Sequence, residues 1–156
     1  MTYSLDKTDK SILRILQTHG KINTIELAEQ VGLSVTPCAR RLKLLASNGY
    51  IETTIAVLNP EKLGLDLTVY IAISMERHTP EQFDVFEAAV KTFPEVVSCS
   101  VVTGRVEDYL LRVVVRDMKH YEEFLLGRLN RIKGVDTVHS SFELRRVIRH
   151  GALPIY

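Results

Sequence analysis

Residues 24–49 read TIELAEQVGLSVTPCARRLKLLASNG, two amphipathic segments joined by a short turn. The apolar residues of the first segment have helical spacing, and Thr24 is a candidate N-cap. Gly32 can adopt φ > 0 and end this helix, and Ser34 can cap the next one. The pattern predicts a helix-turn-helix, an arrangement that places its second helix in the DNA major groove.

The second segment predicts a helix over residues 35–48 with two different faces. No Asp or Glu occurs between Ser34 and Asn48. At 100° per residue the apolar side chains share one broad face, formed by Val35, Cys38, Ala39, Leu42, Leu45 and Ala46. Thr36, Arg40 and Lys43 lie opposite, and Arg41 flanks them. A solvated surface helix is the alternative, but the three-helix context favours a nucleic-acid interface.

The N-terminal part of the chain carries the positive charge. A further helix is predicted over residues 6–18, and residues 1–60 hold 7 Lys and Arg against 5 Asp and Glu. Residues 61–156 hold 13 against 14, and the net charge of the chain is only +1. A nucleic-acid contact should therefore be a local patch. We expect a DNA-binding domain over residues 1–60, whose last residues form a short wing or hinge strand.

The rest of the chain, residues 61–156, alternates strand and helix patterns in the order βαββαβ. The predicted elements are a strand over 67–75, a helix over 80–92, strands over 96–103 and 109–115, a helix over 118–132 and a strand over 135–144. This order predicts a ferredoxin-like α+β domain, with four antiparallel strands and both helices on one face.

The uncovered sheet face predicts self-association. The third strand carries apolar residues on both faces, Leu111 and Val113 on one and Leu110 and Val114 on the other. Helices cover only one face, so we expect the other to be buried against a second copy in a homodimer.

Several classes of protein and site are disfavoured. No apolar run approaches the length of a membrane span, and no signal segment opens the chain. Cys38 and Cys99 are too few for a disulfide framework, so we expect a cytoplasmic protein. The five His residues lack metal-binding spacing, and no catalytic constellation or phosphate loop is found. We therefore predict no enzyme, no metal and no cofactor.

These features together resemble the Lrp/AsnC, or feast/famine, family of transcriptional regulators. Residues 5–16, 26–51 and 101–113 resemble its opening helix, its helix-turn-helix and its effector loop, in the family's order. The resemblance implies that the second helix of the motif enters the major groove of double-stranded DNA. The implied DNA-binding residues are Ser34, Thr36, Pro37, Arg40, Arg41 and Lys43.

The resemblance also implies an amino-acid effector, bound between dimers near the loop that joins the second and third strands. The implied effector-binding residues are Thr103, Gly104, Arg105, Val106, Glu107, Asp108, Ser140 and Ser141. Three residues separate Gly104 from Asp108, where the family pattern usually has two, so either Glu107 or Asp108 could take the acidic position. Assembly of four dimers in a ring is a further family expectation.

The main interpretation is a sequence-specific DNA-binding regulator that responds to an amino acid or a related small molecule. Two alternatives remain: an architectural protein that wraps DNA without a ligand response, and a small-molecule-sensing subunit of a metabolic system. The second has no use for a basic recognition helix, and the first would bind random DNA as well as specific DNA.

Overall fold

The computed structural model describes residues 3–104 and 107–156, which form two compact units. One unit contains the residues up to Val57 together with Ile148–Tyr156, and the other contains Leu58–Val147. The sequence predicted two domains that meet after residue 60. In the structure, residues Ile148–Tyr156 group with the N-terminal unit.

The N-terminal unit has three helices, α1 (Lys7–Thr18), α2 (Thr24–Gln30) and α3 (Val35–Ser47). The Asp6 side chain caps α1 in a capping box with Asp9. The prediction that Thr24 caps α2 is wrong, because the cap is Asn23. Asn23 has an extended backbone, and its side-chain oxygen accepts the Glu26 N–H at 2.9 Å, while Thr24 is already helical.

The turn between α2 and α3 has the predicted geometry at Gly32, whose φ is +68°. Ser34 is the N-cap of α3, although its side chain makes no capping hydrogen bond. After α3, residues 51–59 form neither helix nor strand, so the predicted wing has no strand pairing within this chain.

A small core holds the three helices together. Its buried members are Ile12, Leu13, Leu27, Ala28, Cys38 and Leu45. The apolar face of α3 is narrower than predicted, since Val35 is 44% exposed and Ala39 and Ala46 also face solvent. Ile155, from the end of the chain, packs against the same core.

The C-terminal unit has the predicted element order. Its elements are β1 (Leu67–Met75), α4 (Pro80–Val90), β2 (Val96–Val101), β3 (Tyr109–Val115), α5 (Met118–Gly127) and β4 (Val135–Phe142). The last turn predicted for α5 is instead a short 3₁₀ helix, Leu129–Arg131, because Arg128 leaves the helical region at φ −130° and ψ −63°. The strands form one antiparallel sheet in the order β2-β3-β1-β4.

Both long helices pack on one face of this sheet. Phe86 of α4 and Phe124 of α5 join Ile71, Leu111 and other buried strand residues in a single core. The opposite face is not covered by a helix, as predicted, but it is mixed in polarity. Leu110 and Tyr70 are partly exposed there, at 42% and 36%. No helix among the described residues has the length and apolar character to cross a membrane.

Candidate nucleic-acid interface and ligand loop

The exposed face of α3 carries two cations and no acid. Thr36, Arg40 and Lys43 are exposed, while Cys38 and Leu45, fully buried on the opposite side, anchor the helix. Neither Arg40 nor Lys43 forms an ion pair with any residue that the structure describes. Both cations are therefore available to an external anion.

Ser34 and Pro37 lie at the start of the same helix. Ser34 is exposed and Pro37 is half-buried in the first turn, where a missing N–H costs little. Since the Ser34 hydroxyl does not cap α3, backbone N–H groups of the first turn are not satisfied by that side chain. The N-terminal end of α3 thus adds polar donors to the cationic face.

Arg41 was predicted to contact DNA, but the structure places it against α1. Its Nη1 lies 2.6 Å from Asp6 Oδ2 and 2.7 Å from Asp9 Oδ1. The hydrogen bonds to Asp9 and Asp6 raise the pKa of the Arg41 guanidinium above its ordinary value. The physical reason for this pairing is that Asp9 is 1% exposed, and a buried carboxylate needs a cationic partner.

Two tyrosines complete the surroundings of this ion pair. The Tyr3 hydroxyl donates to Asp9 Oδ2 at 3.0 Å, and the Tyr50 hydroxyl donates to the Tyr3 carbonyl at 2.6 Å. The two rings meet edge to face, with centroids 6.0 Å apart. Arg41 therefore belongs to a polar network that joins α3 to α1, and Arg40 and Lys43 are the exposed cations of α3.

In the loop between β2 and β3, the Asp108 side chain bonds to residues of its own unit. Its Oδ2 accepts the Met75 N–H at 2.7 Å, and its Oδ1 lies 2.8 Å from His78 Nε2. Its N–H donates to the Ile73 carbonyl at 2.8 Å. The carboxylate of Asp108 thus ties the β2–β3 loop to the end of β1.

Glu107 has a different position in the same loop. A Cβ added at Gly104 would lie 3.2 Å from Glu107 Oε2, so the carboxylate approaches the glycine backbone closely. Thr103 and Gly104 are exposed beside it. Arg105 and Val106, also predicted to bind the effector, lie outside the described residues.

Ser140 and Ser141 point to opposite faces of the sheet, because neighbouring strand residues alternate. Ser140 pairs with the buried Ile71 and bonds through its Oγ to the Tyr121 hydroxyl on the helix side. Ser141 pairs with Tyr70 and is exposed on the open face. The two serine side chains therefore lie on different faces of the sheet.

The described parts of the chain contain no group of His, Cys, Asp and Glu side chains that could hold a metal ion. Sequence reasoning missed the residues that hold Arg41 in place. Asp9 pairs with Arg41, and Tyr3 donates a hydrogen bond to Asp9. The spacing of Asp6 and Asp9 signals a helix cap, and only the tertiary contact shows its second use.

Two domain families match this chain in the order of its two units. Residues 5–52 match the winged helix-turn-helix DNA-binding family, and residues 68–153 match the Lrp/AsnC ligand binding domain. Together they cover most of the described residues.

Whole-length relatives agree with these domains. The chain is 39% identical over 151 residues to the DNA-binding transcriptional activator DecR of Escherichia coli, covering 97% of this chain and 99% of that protein. It is 38% identical to the leucine-responsive regulatory protein of Salmonella typhimurium, over 97% of this chain and 92% of that one. The structure of transcriptional regulator NMB0573 of Neisseria meningitidis in complex with L-Met is similar at a TM-score of 0.92, with 40% identity and 97% of each chain covered.

Proposed function

Since the chain belongs to the Lrp/AsnC family and is a ligand-responsive DNA-binding transcriptional regulator, we propose that α3 reads the major groove and that the β2–β3 loop senses an amino acid. The observation that carries the first part is the exposed pair Arg40 and Lys43 on an acid-free helix face. A helix of this kind, second in a helix-turn-helix, is the usual reader of base edges.

The proposed DNA contacts are Ser34, Thr36, Pro37, Arg40 and Lys43. Arg40 suits bidentate contact with guanine or a phosphate oxygen, and Lys43 suits phosphate. Ser34 and Thr36 supply hydroxyl donors near the start of α3, where backbone N–H groups also favour a phosphate. Arg41 is left out because Asp6 and Asp9 already hold its guanidinium.

The proposed effector is an α-amino acid. Support comes from the relatives, one named as leucine-responsive and one determined in complex with L-Met. In this chain Glu107 is the acid suited to the α-ammonium group, since Asp108 is engaged by Met75 and His78. Backbone N–H groups near Gly104 and the Thr103 hydroxyl suit the carboxylate. Ser141 of a neighbouring copy would complete the site.

The proposed working unit is a homodimer that closes the open sheet face, and rings of four dimers are the larger assembly we expect. Two copies would present two α3 helices to two half-sites on DNA. The proposal includes no catalytic step, and it places the protein in the cytoplasm with the DNA that it regulates.

The test is DNA binding by the variant Arg40→Ala/Lys43→Ala. Operator fragments are first recovered by genomic footprinting with and without single amino acids. Fluorescence anisotropy over a salt series should then show much weaker binding by the variant, and its log–log salt slope should be shallower by ~0.9 for each phosphate that it no longer neutralises. Lys91→Ala, on α4, is the matched control. Unchanged binding by the α3 variant, or equal affinity for operator and random DNA, would overturn the proposal.

A further inference from the structure

The last residues of the chain, Ile148–Tyr156, form neither helix nor strand, yet they belong to the N-terminal unit. The Ile155 side chain packs against the core of the three helices. Leu153 and Tyr156, close to it in the chain, are 76% and 94% exposed. The segment is therefore docked on the surface of the helices and is not an integral part of their core.

Two side chains of α1 hold the backbone of this segment. The Arg14 guanidinium donates to the Ile155 carbonyl at 2.7 Å. The Gln17 amide donates to the Leu153 carbonyl at 3.2 Å, and its oxygen accepts the Leu153 N–H at 2.6 Å. Arg14 and Gln17 are three residues apart and so share one face of α1. Their bonds are exposed to solvent, so the segment can leave α1 without global unfolding.

The chain that leads to this segment has a second anchor, on the sheet of the C-terminal unit. The Glu143 N–H, directly after β4, donates to the Thr68 carbonyl at 2.9 Å. The Glu143 carboxylate accepts the Tyr70 hydroxyl at 2.9 Å and pairs with Arg146 at 3.1 Å. The residues that follow β4 are therefore fixed to β1.

The stretch between these two anchors is short. Residues 147–152 are six residues and span at most about 22 Å. Val147 and Ile148, at its start, are 83% and 73% exposed. The other connection between the two units, residues 51–59, forms neither helix nor strand. The N-terminal unit is thus tied to the C-terminal unit twice, through residues 51–59 and through residues 147–152.

We propose that Ile148–Tyr156 is a releasable strap, which links β4 to α1 and sets how freely the DNA-binding unit moves. While the strap is docked on Arg14 and Gln17, a short segment limits this motion. When the strap is released, only residues 51–59 connect the two units, and a linker without helix or strand leaves them free to reorient.

The strap deepens the proposed function and rests on it, because it supplies a route from the ligand to DNA. Ser141, a proposed ligand contact, lies in β4 two residues before Glu143, the anchor of the strap. Two half-sites on DNA require two α3 helices at a fixed spacing, and limiting their motion beforehand lowers the cost of binding both. A ligand with different affinities for the docked and the released state therefore changes the affinity for DNA.

Two variants of the full-length protein release the strap from opposite sides. Arg14→Ala/Gln17→Ala removes the hydrogen bonds from α1, and Ile155→Asp places a charge where the strap meets the core. Arg14 and Gln17 are exposed, so their double variant keeps the helical core and decides the outcome if Ile155→Asp does not fold.

Each release variant has a matched control. Lys21→Ala/Gln30→Ala also removes one cation and one amide from exposed positions of the N-terminal unit. Tyr156→Asp adds the same charge as Ile155→Asp at the neighbouring residue, which is exposed. Circular dichroism checks that the helices of all four proteins are folded.

The first test measures the motion of the N-terminal unit by time-resolved fluorescence anisotropy. A dye is attached to Glu29→Cys, at an exposed position of α2, in a Cys99→Ser background where the remaining Cys38 is fully buried. Both release variants should show a larger amplitude of fast anisotropy decay than the wild type, and both controls should match the wild type. Unchanged decay in Arg14→Ala/Gln17→Ala rejects the strap.

The second test compares DNA that carries two half-sites with DNA that carries one. Release of the strap should weaken binding to two half-sites by about 10-fold, because the second half-site is then bound at a lower effective concentration. Binding to a single half-site should stay unchanged, since α3 is unaltered. An equal loss on both DNAs would show damage to the helices instead, and no loss on either would reject the role of the strap in DNA binding.

The third test separates the strap from the proposed ligand site. Isothermal titration of Arg14→Ala/Gln17→Ala with L-methionine and L-leucine should give the wild-type affinity, since neither residue belongs to the β2–β3 loop. The change in operator affinity that these amino acids cause in the wild type should disappear in the variant, and its persistence in full rejects the strap as the route. If the wild type shows no such change, the sensing part of the proposed function fails, while the two preceding tests still decide the strap.

Discussion

Arg41 of α3 and Asp9 of α1 form an ion pair, with 2.7 Å between Nη1 and Oδ1 and only 1% of the Asp9 side chain exposed. This contact fixes α3 against α1. It also separates two neighbouring arginines by role, since Arg40 faces solvent and Arg41 faces the domain.

Arg41→Gln should destabilise the protein by about 1–3 kcal/mol, because it leaves a buried carboxylate without its cation. The free energy of unfolding in urea, followed by circular dichroism, measures this. Arg40→Gln is the matched control and should change stability by less than ~0.5 kcal/mol. In DNA titrations the relative size of the two effects should reverse. Arg40→Gln should lower the salt slope of binding, and Arg41→Gln should leave it unchanged. A lower salt slope for Arg41→Gln would show instead that Arg41 contacts DNA.

Acidification should weaken the N-terminal unit through Asp6. The Asp9 N–H, and then Arg41, lower the pKa of the Asp6 carboxyl below its ordinary value. A pKa lower in the folded than in the unfolded state stabilises the fold above about pH 4, and this stability is lost as pH falls through the folded pKa. Asp6→Asn retains a good N-cap residue and removes the charge.

Wild-type protein should therefore lose more stability than Asp6→Asn between pH 7 and pH 3, as measured by urea midpoints at each pH. Asp84→Asn, which alters an exposed carboxylate on α4, should behave as the wild type. Equal losses in wild type and Asp6→Asn would contradict this origin of the acid sensitivity.

The turn before α3 depends on glycine. Gly32 has φ +68°, a conformation that costs a residue with a Cβ roughly 1–2 kcal/mol. Gly32→Ala should lower the free energy of unfolding by that amount, although open space surrounds the position. Gly127 ends α5 without a positive φ, and open space surrounds it as it surrounds Gly32. Gly127→Ala should therefore be neutral or stabilising by up to about 1 kcal/mol. The two substitutions differ only in the backbone conformation of the glycine that is replaced.

The end of the chain should stabilise α1. The Arg14 guanidinium donates to the Ile155 carbonyl at 2.7 Å, and the Gln17 amide exchanges two hydrogen bonds with the Leu153 backbone. Ile155→Ala should cost about 1 kcal/mol, less than the ~2–5 kcal/mol of a fully buried isoleucine. Amide hydrogen exchange should show faster exchange in α1 and unchanged exchange in α5. Tyr156→Ala is the control, because Tyr156 is 94% exposed. Faster exchange in α1 of Tyr156→Ala but not of Ile155→Ala would contradict the role given to Ile155.

Periodic patterns predicted the regular elements well. The bounds of β1, Leu67–Met75, and of β3, Tyr109–Val115, agree with the structure because alternation of apolar residues reports burial of one sheet face. Helix ends were less accurate. Asn23 and Thr24 are both suitable caps in adjacent positions, and only backbone geometry distinguishes them.

Tertiary contacts were not accessible from such patterns. A helical projection puts Arg41 at the edge of the polar face, but its pairing with Asp6 and Asp9 depends on how α1 crosses α3. Likewise, nothing periodic marks Leu153 and Ile155 as partners of α1. Local rules predict to which side of its own helix or strand a side chain points. They do not predict which residue of another element it contacts on that side.

The two acids of the β2–β3 loop, Glu107 and Asp108, should have different roles, one in the proposed ligand binding and one in stability. Asp108 accepts the Met75 N–H at 2.7 Å, so Asp108→Asn weakens the attachment of the loop to β1 and should lower the unfolding midpoint of the C-terminal unit. Glu107 approaches Gly104 closely and bonds to no other side chain among the described residues, so Glu107→Gln should leave that midpoint unchanged. Isothermal titration with L-methionine and L-leucine should instead show at least ~10-fold weaker binding for Glu107→Gln, which corresponds to the about 1.4 kcal/mol that a charge-assisted bond to an ammonium group supplies. If Glu107→Gln binds as tightly as the wild type while Asp108→Asn alone loses binding, the ammonium-binding acid is Asp108, and its bonds to Met75 and His78 must rearrange when the ligand enters.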